Sequence, residues 1–451
     1  MNYKSSIFAA MIFFPVSMYP QEGNSSGSST PAPLPFSGGQ QTNLQYAGER
    51  LPANAFVIDA GYQASYDDNV LVSSGTARHG DQVNNLSTDL SLLHRGPRLN
   101  AVMEYSQAAE FYGSLTAYNH VDERLVTDLD FQLSPHWSSN FRDVFYNQTS
   151  PFYQGLDGAA TSELGSPSAV NTSIYIPPID QRGNIVRGDI LWQTSVRTSL
   201  SALGGTDYRS FGARQVEGHS LINTTGETAG AQYAWRITEH STLGFLYTFE
   251  RLSLFGTLPA NSPSRLDDQC ILSSLGWQPR PSIEITLFAG PAFINQSASQ
   301  SSADALLTQD LRSLLGEWGS TVSQKVGRGS WYLSADRIVS DGGGIMGFVV
   351  NTSYEVGLRW QLPLRGRWDA TSNIQAAQNS ALAKENGAYS FDSQNGSFGL
   401  EHPLRDKLVA RLGYDFARQN SSGTIPFDSN FHRNRVSLGI NIHWNAISLK
   451  H

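Results

Sequence analysis

The sequence predicts an all-β protein: a transmembrane, antiparallel, up-and-down β-barrel of about 18 strands, with 16 as the alternative count. Three observations predict it. Between about residues 56 and 444, apolar and polar residues alternate in stretches of roughly 10–16, as strands with one face in lipid and the other in a lumen must. The connections are alternately very short and long, which fits tight turns at one rim and loops at the other. Charged residues are 16% of the 451, below the ~25% of soluble domains. Yet after the N-terminus no run of about 18 apolar residues could form a membrane helix.

The N-terminal segment, with Lys4 ahead of an apolar stretch at 7–16, reads as a secretory signal peptide over residues 1–20. Residues 21–54 are rich in Gly, Ser, Pro, Gln and Asn, cannot bury a core, and are expected to be a disordered periplasmic leader. The barrel is expected to occupy 55–451.

The first strand places Phe56, Ile58, Ala60, Tyr62, Ala64 and Tyr66 on one face and Asp59, Gln63 and Ser65 on the other, because successive strand side chains point oppositely. The pattern recurs at Tyr354–Leu358 against Glu355 and Arg359, and at Leu412 and Tyr414 against Arg411 and Asp415. In the last strand Val436, Leu438, Ile440, Ile442 and Trp444 oppose Arg435, Ser437, Asn441 and His443. One stretch is irregular. Asp143 shares the parity of Trp137 and Phe141, which turns a carboxylate toward lipid unless a bulge intervenes.

Short connections fall near 95–98, 134–137, 194–197, 238–241, 279–281, 327–329, 363–366 and 403–406, where Pro and Gly preset turn dihedrals. These hairpins, with one strand before them and one after, bring the count to about 18. The longer connections include 73–83, 150–182, 213–221, 257–264, 299–309, 382–389 and 420–429, which are rich in Ser, Gly, Asn and Asp and lie at the opposite, outward rim. Trp137, Trp192, Trp235, Trp277, Trp331, Trp360, Trp368 and Trp444 lie toward the short-turn rim, as an interfacial girdle would. Packing between strands is the plainer alternative.

Little covalent chemistry is suggested. The ten histidines show no metal-ligand spacing, and no phosphate loop or nucleophile elbow is present. Cys270 reads as a packed thiol. Asp67, Asp68 and Asn69 read as a polar strand end turning into solvent, with a calcium loop as the sharper alternative. Gly342, Gly343 and Gly344 read as a tight outer loop. The net charge of −8 argues against general affinity for nucleic acid or anionic lipid.

The inward parity is charged. Asp59, Glu104, Asp128, Asp130, Asp189, Arg197, Glu284, Asp336, Glu355, Arg359, Glu401, Arg411 and Asp415 are the candidate lumen-lining residues, with Arg142, Glu317 and Asp369 beside them. Charges at membrane depth are tolerated where they face water or each other, so the lumen is either a polar channel or a set of ion-pair ladders. The longest loop, after the fifth strand, is fairly apolar. Its Phe152, Tyr153 and Tyr175 are candidates for a constriction folded into the lumen, with a surface lid as the alternative.

Several short motifs add a resemblance. Ala60-Gly61-Tyr62 running into Tyr66-Asp67-Asp68-Asn69, and the turns Pro363-Leu364-Arg365 and Pro403-Leu404-Arg405, resemble bacterial outer-membrane barrels of the β-barrel porin type. Tyr66-Asp67-Asp68-Asn69 is similar to members associated with exopolysaccharide gene clusters. Such barrels usually end in an aromatic residue, whereas here Trp444 is followed by 445–451. Residue pattern and resemblance together give an expected location in the outer membrane of a Gram-negative-type bacterium. They also give expected partners: outer-membrane lipid, the barrel-assembly machinery, and small hydrophilic solutes or a polysaccharide. Room is left for a homo-oligomer. No cofactor and no enzymatic activity are expected. Passive diffusion of small hydrophilic solutes is the expected function. An accessory barrel in polysaccharide secretion, or a structural or adhesive barrel with a filled lumen, is the alternative.

Overall fold

The computed structural model describes residues 54–73, 78–149, 174–175, 178–212, 221–255, 263–298, 311–362, 368–382, 390–422 and 430–448. The expected signal peptide and the leader up to residue 53 lie outside them, as does the turn at 363–366, while Asn54 already belongs to the first strand. Eighteen strands occur among the described residues. They are β1 (Asn54–Asp67), β2 (Asp81–Arg95), β3 (Leu99–Tyr112), β4 (His120–Ser134), β5 (Trp137–Gln148), β6 (Gln181–Gln193), β7 (Thr198–Phe211), β8 (Asn223–Thr238) and β9 (Ser241–Phe255). They continue with β10 (Pro263–Arg280), β11 (Ile283–Ala298), β12 (Leu311–Val326), β13 (Gly329–Gly342), β14 (Met346–Leu362), β15 (Trp368–Ala381), β16 (Ser390–Arg405), β17 (Leu408–Ser422) and β18 (Phe431–Ser448).

Each strand pairs with its sequence neighbours, and β18 returns to β1, closing an antiparallel barrel. Closure gives the wall's backbone groups partners without water, which is what lets strands cross a bilayer. No helix among the described residues is long and apolar enough to span one.

The alternation sorts the two faces as the sequence predicts. Tyr62, Tyr66, Tyr354, Val356, Leu358, Leu412, Tyr414, Leu438 and Ile440 are exposed on the outside, while Ser65, Glu355, Arg435 and Ser437 are buried on the inside. This greasy outer wall makes the chain a protein of the outer membrane. Trp137, Trp192, Trp235, Trp277 and Trp444 are exposed on the same outer face near the short-turn rim, where a headgroup-level girdle would sit. Trp331, Trp360 and Trp368 are only half-buried, and stacks of Trp137 on Trp192 at 5.5 Å and of Trp368 on His402 at 4.4 Å show packing between strands as well.

No bulge rescues Asp143. Its register with β6 is unbroken, and the one shift with β4 places the extra residue on β4, between Gln132 and Ser134, so the carboxylate stays on the lipid-facing parity. The Asn184 side chain compensates by donating a 2.7 Å hydrogen bond to it.

The largest departure from a plain cylinder is at β13 and β14. β12 pairs with β13 only from Val326↔Gly329 to Trp318↔Arg337, whereas β13 and β14 stay paired up to Gly342↔Met346. The hairpin therefore leaves β12 above Arg337 and bends into the lumen. Val339 shows this directly: it shares the outward parity of Leu333, yet is 1% exposed where Leu333 is 45%. At the point of departure the Val339 amide donates to Glu317 Oε1 at 3.0 Å.

Candidate functional site

The candidate site is the lumen, and the strands build it in two layers. The layer toward the long-loop rim is closely packed. Inward residues of β9–β11 (Leu252, Leu254, Leu266, Leu272, Phe288 and Ile294) form an apolar patch covered by Val339 and Phe348 of the bent hairpin. The tip itself, Gly342–Gly344, is buried, which corrects the expectation of an outer loop. Gly343 and Gly344 hold φ of +67° and +83°, a region open to glycine at little cost. A Cβ on Gly344 would also lie 2.4 Å from the Phe211 ring.

Ionic contacts pin this layer. Asp341 accepts from Arg209 of β7 and, at 3.0 Å, from Thr224 Oγ1 of β8. The Ile222 amide donates to the Gly344 carbonyl at 2.7 Å. Around the wall, Arg433 binds Asp67 through Nε at 2.8 Å, Arg435 binds Glu110 at 3.2 Å, and Arg187 binds Asp207 at 3.0 Å. Asp67 and Asn69 are fully buried, and Asp68 accepts from the Asn434 amide at 2.6 Å. The acidic end of β1 is thus a lock onto β18 and does not turn into solvent.

The long loop also contributes. Phe152 and Tyr153 lie outside the described residues, whereas Tyr175 is buried inside the barrel. Its amide donates to Gln419 Oε1 of β17 at 2.8 Å, and Gln419 Nε2 returns a bond to the Tyr175 carbonyl at 3.2 Å. Its ring meets Phe431 edge-on at 5.9 Å. Burial pushes the Tyr175 phenol above its ordinary value. The neighbouring Ile174 packs with Ile345 and Val349 of the hairpin, so the segment 174–175 and the hairpin support each other.

The layer toward the short-turn rim is open and charged. Asp59 meets His443 Nδ1 at 2.5 Å, Asp128 meets Arg142 at 3.6 Å, and Asp130 accepts from Asn140 at 2.5 Å. Glu401 pairs with Arg411 at 3.4 Å with side chains 34% and 49% exposed. Glu355 accepts from Tyr332 at 2.5 Å and from Asn373 at 2.8 Å, and Asp336 accepts from Ser353. Glu104, Asp189 and Asp415 are half-buried on the inner parity, and Glu284 and Arg359 are exposed there. Arg197 is placed differently. It sits in the connection between β6 and β7, exposed at the rim, so strand parity does not direct it inward.

Sequence reasoning missed the bent hairpin. Its signal was partly present: the inner face of β9 carries Leu246, Leu252 and Leu254 beside Thr248 and Glu250, while Phe245 and Tyr247 point outward. An inner wall of leucines needs a cover.

No family model and no curated protein matches the chain. Among solved structures, it is similar to the outer membrane protein OpdK from Pseudomonas aeruginosa. That likeness has 12% identity and a TM-score of 0.40, covering 86% of this chain and 99% of that one. It is also similar to OccK2 (OpdF) of the same organism, solved in complex with glucuronate, at 11% identity and a TM-score of 0.44 over 87% and 99% of the two chains. The siderophore receptor PirA from Pseudomonas aeruginosa stands at 9% identity and a TM-score of 0.39, over 88% and 81%. At these values the likeness is one of general architecture.

Proposed function

We propose that this barrel is an outer-membrane channel for small hydrophilic solutes, narrowed from the long-loop side by its own β13–β14 hairpin and the segment 174–175. The carrying observation is the accessible charge of the inner wall below that constriction, where Glu401 and Arg411 are exposed on the lumen side. A wall built only to fill a barrel has no use for hydrated charges, since water-exposed ion pairs stabilise little. In a channel, rings of such charges select solutes. The candidate lumen residues above, Arg197 excepted, act as this lining, and Tyr175 belongs to the constriction.

One observation favours a second reading. The long-loop layer is buried and ion-paired, as in a structural barrel with a filled lumen. A polysaccharide conduit would require the same hairpin to move.

Planar-bilayer recording of the refolded protein tests the proposal. A channel gives discrete conductance steps that grow when the hairpin tip 342–345 is removed. A folded barrel that is silent both with and without the tip is a filled one.

A further inference from the structure

The packed layer holds a group of acids that the channel reading does not use. Asp268 and Cys270 of β10 and Glu317 of β12 all face inward and are buried, and one ligand atom from each lies within 4.8 Å of the others. The Cys270 thiol is 3.0 Å from Glu317 Oε2 and 3.4 Å from Asp268 Oδ1. Glu250 of β9 stands directly opposite Asp268 in the register, so it points from the same face into the same space. It is 1% exposed, and its Oε1 has no hydrogen-bond partner among the described residues. Asp268 Oδ2 and the hydroxyl of Thr248, which lies opposite Cys270, share that condition.

Three buried carboxylates and a thiol are thus gathered with no Arg or Lys salt bridge to any of them among the described residues. The nearby cations make their salt bridges elsewhere, Arg187 with Asp207 and Arg209 with Asp341, although the charge of Arg187 also reaches Glu250. Buried like charges need a counter-charge or must take up protons. A dication satisfies several of them at once, with the ligand atoms of Asp268, Cys270 and Glu317 already gathered and Glu250 on the adjacent strand, outside that group, turning in to complete it. Tetrahedral zinc with metal–oxygen and metal–sulfur bonds of about 2.0–2.3 Å spaces its ligand atoms roughly 3.3–3.8 Å apart. The thiol–carboxylate separations are within a few tenths of an ångström of that range.

We propose that Asp268, Cys270 and Glu317, with Glu250 completing the set, bind a divalent transition-metal ion inside the barrel. The thiolate selects a borderline ion of the zinc class over calcium or magnesium, which favour all-oxygen sites. Loading the ion expels the thiol proton, and any proton held among the carboxylates, to water. Because Glu317 also accepts the Val339 amide through its other oxygen, the ion would anchor the residue that receives the hairpin where it leaves the wall.

The test is to refold the full chain with Zn2+ or Co2+, remove free metal by gel filtration, and measure bound metal on barrels that pass the heat-modifiability assay for folding. The expected result is one ion per folded chain, with a near-ultraviolet thiolate-to-cobalt charge-transfer band in the Co2+ form. Cys270→Ser should abolish the band. Cys270→Ser and Glu250→Gln should each weaken Zn2+ retention by no less than the roughly 10–100-fold that even an outer-shell change costs. Neither residue carries the hairpin amide, so both variants test the ion separately from the hairpin. Folded wild-type barrels that retain no more metal than Cys270→Ser, or that show no charge-transfer band, overturn the proposal and leave the acids as a proton-sharing cluster.

Discussion

Arg209 on β7 and Asp341 at the end of β13 form a fully buried ion pair between strands six places apart around the wall. No local hairpin contact could join them. The pair exists because β13 leaves β12 and carries Asp341 into the lumen. Breaking one side of a buried pair leaves an uncompensated charge, at a cost of about 3–5 kcal/mol. Arg209→Ala and Asp341→Ala should each destabilise the hairpin by that order, visible as larger or more frequent openings in bilayer recordings. Replacing both by apolar residues of similar size, Arg209→Met with Asp341→Leu, should recover most of the closed state. If the single variants leave conductance and gating unchanged, the hairpin is not a gate.

Gln419 is the second latch. Its side chain uses both amide atoms on the Tyr175 backbone, so Gln419→Ala leaves a buried N–H and C=O unpaired, at about 1–3 kcal/mol for such a group. The variant should raise the open probability. Gln419→Glu keeps only the acceptor and should fall between wild type and Ala. Equal gating in all three proteins would place the segment 174–175 outside the conduction path.

The wall was legible in the sequence because lipid imposes a strict period of two, and a strand that broke it would turn charge into hydrocarbon. That is why Tyr62, Val356 and Leu438 could be assigned outward from the pattern alone. The packed layer was not legible, because its contacts join residues far apart in the chain. Nothing local at Gly342–Gly344 distinguishes an outer turn from one that ends against Phe211. Cys270 is the packed thiol the sequence suggests, but its neighbour Glu317 was not legible, because it reaches the thiol only through the register of β10, β11 and β12. The inward leucines of β9, Leu246, Leu252 and Leu254, were the one readable clue that something covers them.

Asp143 and Asn184 test the outer face. With the Asn184 amide in place, the carboxylate has a donor on a wall that otherwise offers it hydrocarbon. Asn184→Leu should destabilise the barrel by about 1–3 kcal/mol, measured by urea unfolding in lipid vesicles. Adding Asp143→Leu should restore stability, since replacing both partners by apolar groups removes the unpaired acceptor. If Asn184→Leu alone is neutral, Asp143 already lies at headgroup depth, where lipid-facing charges cost only about 0–1 kcal/mol.

The last prediction concerns selectivity and fixes the sign of each charge. Glu401 and Arg411 oppose one another across β16 and β17 on the inner wall, and both side chains remain accessible. Their pairing contributes little to stability at such exposure, so substitution should leave folding intact and alter the field seen by a passing ion. Arg411→Ala leaves Glu401 without its partner and should move the reversal potential in a KCl gradient toward cation selectivity. Glu401→Gln exposes Arg411 and should move it toward anions. The double variant should lie near wild type, because it removes one charge of each sign from the same place. Opposite shifts of the two single variants would locate this pair on the conduction path. Shifts of the same sign, or none, would mean that ions pass elsewhere or not at all.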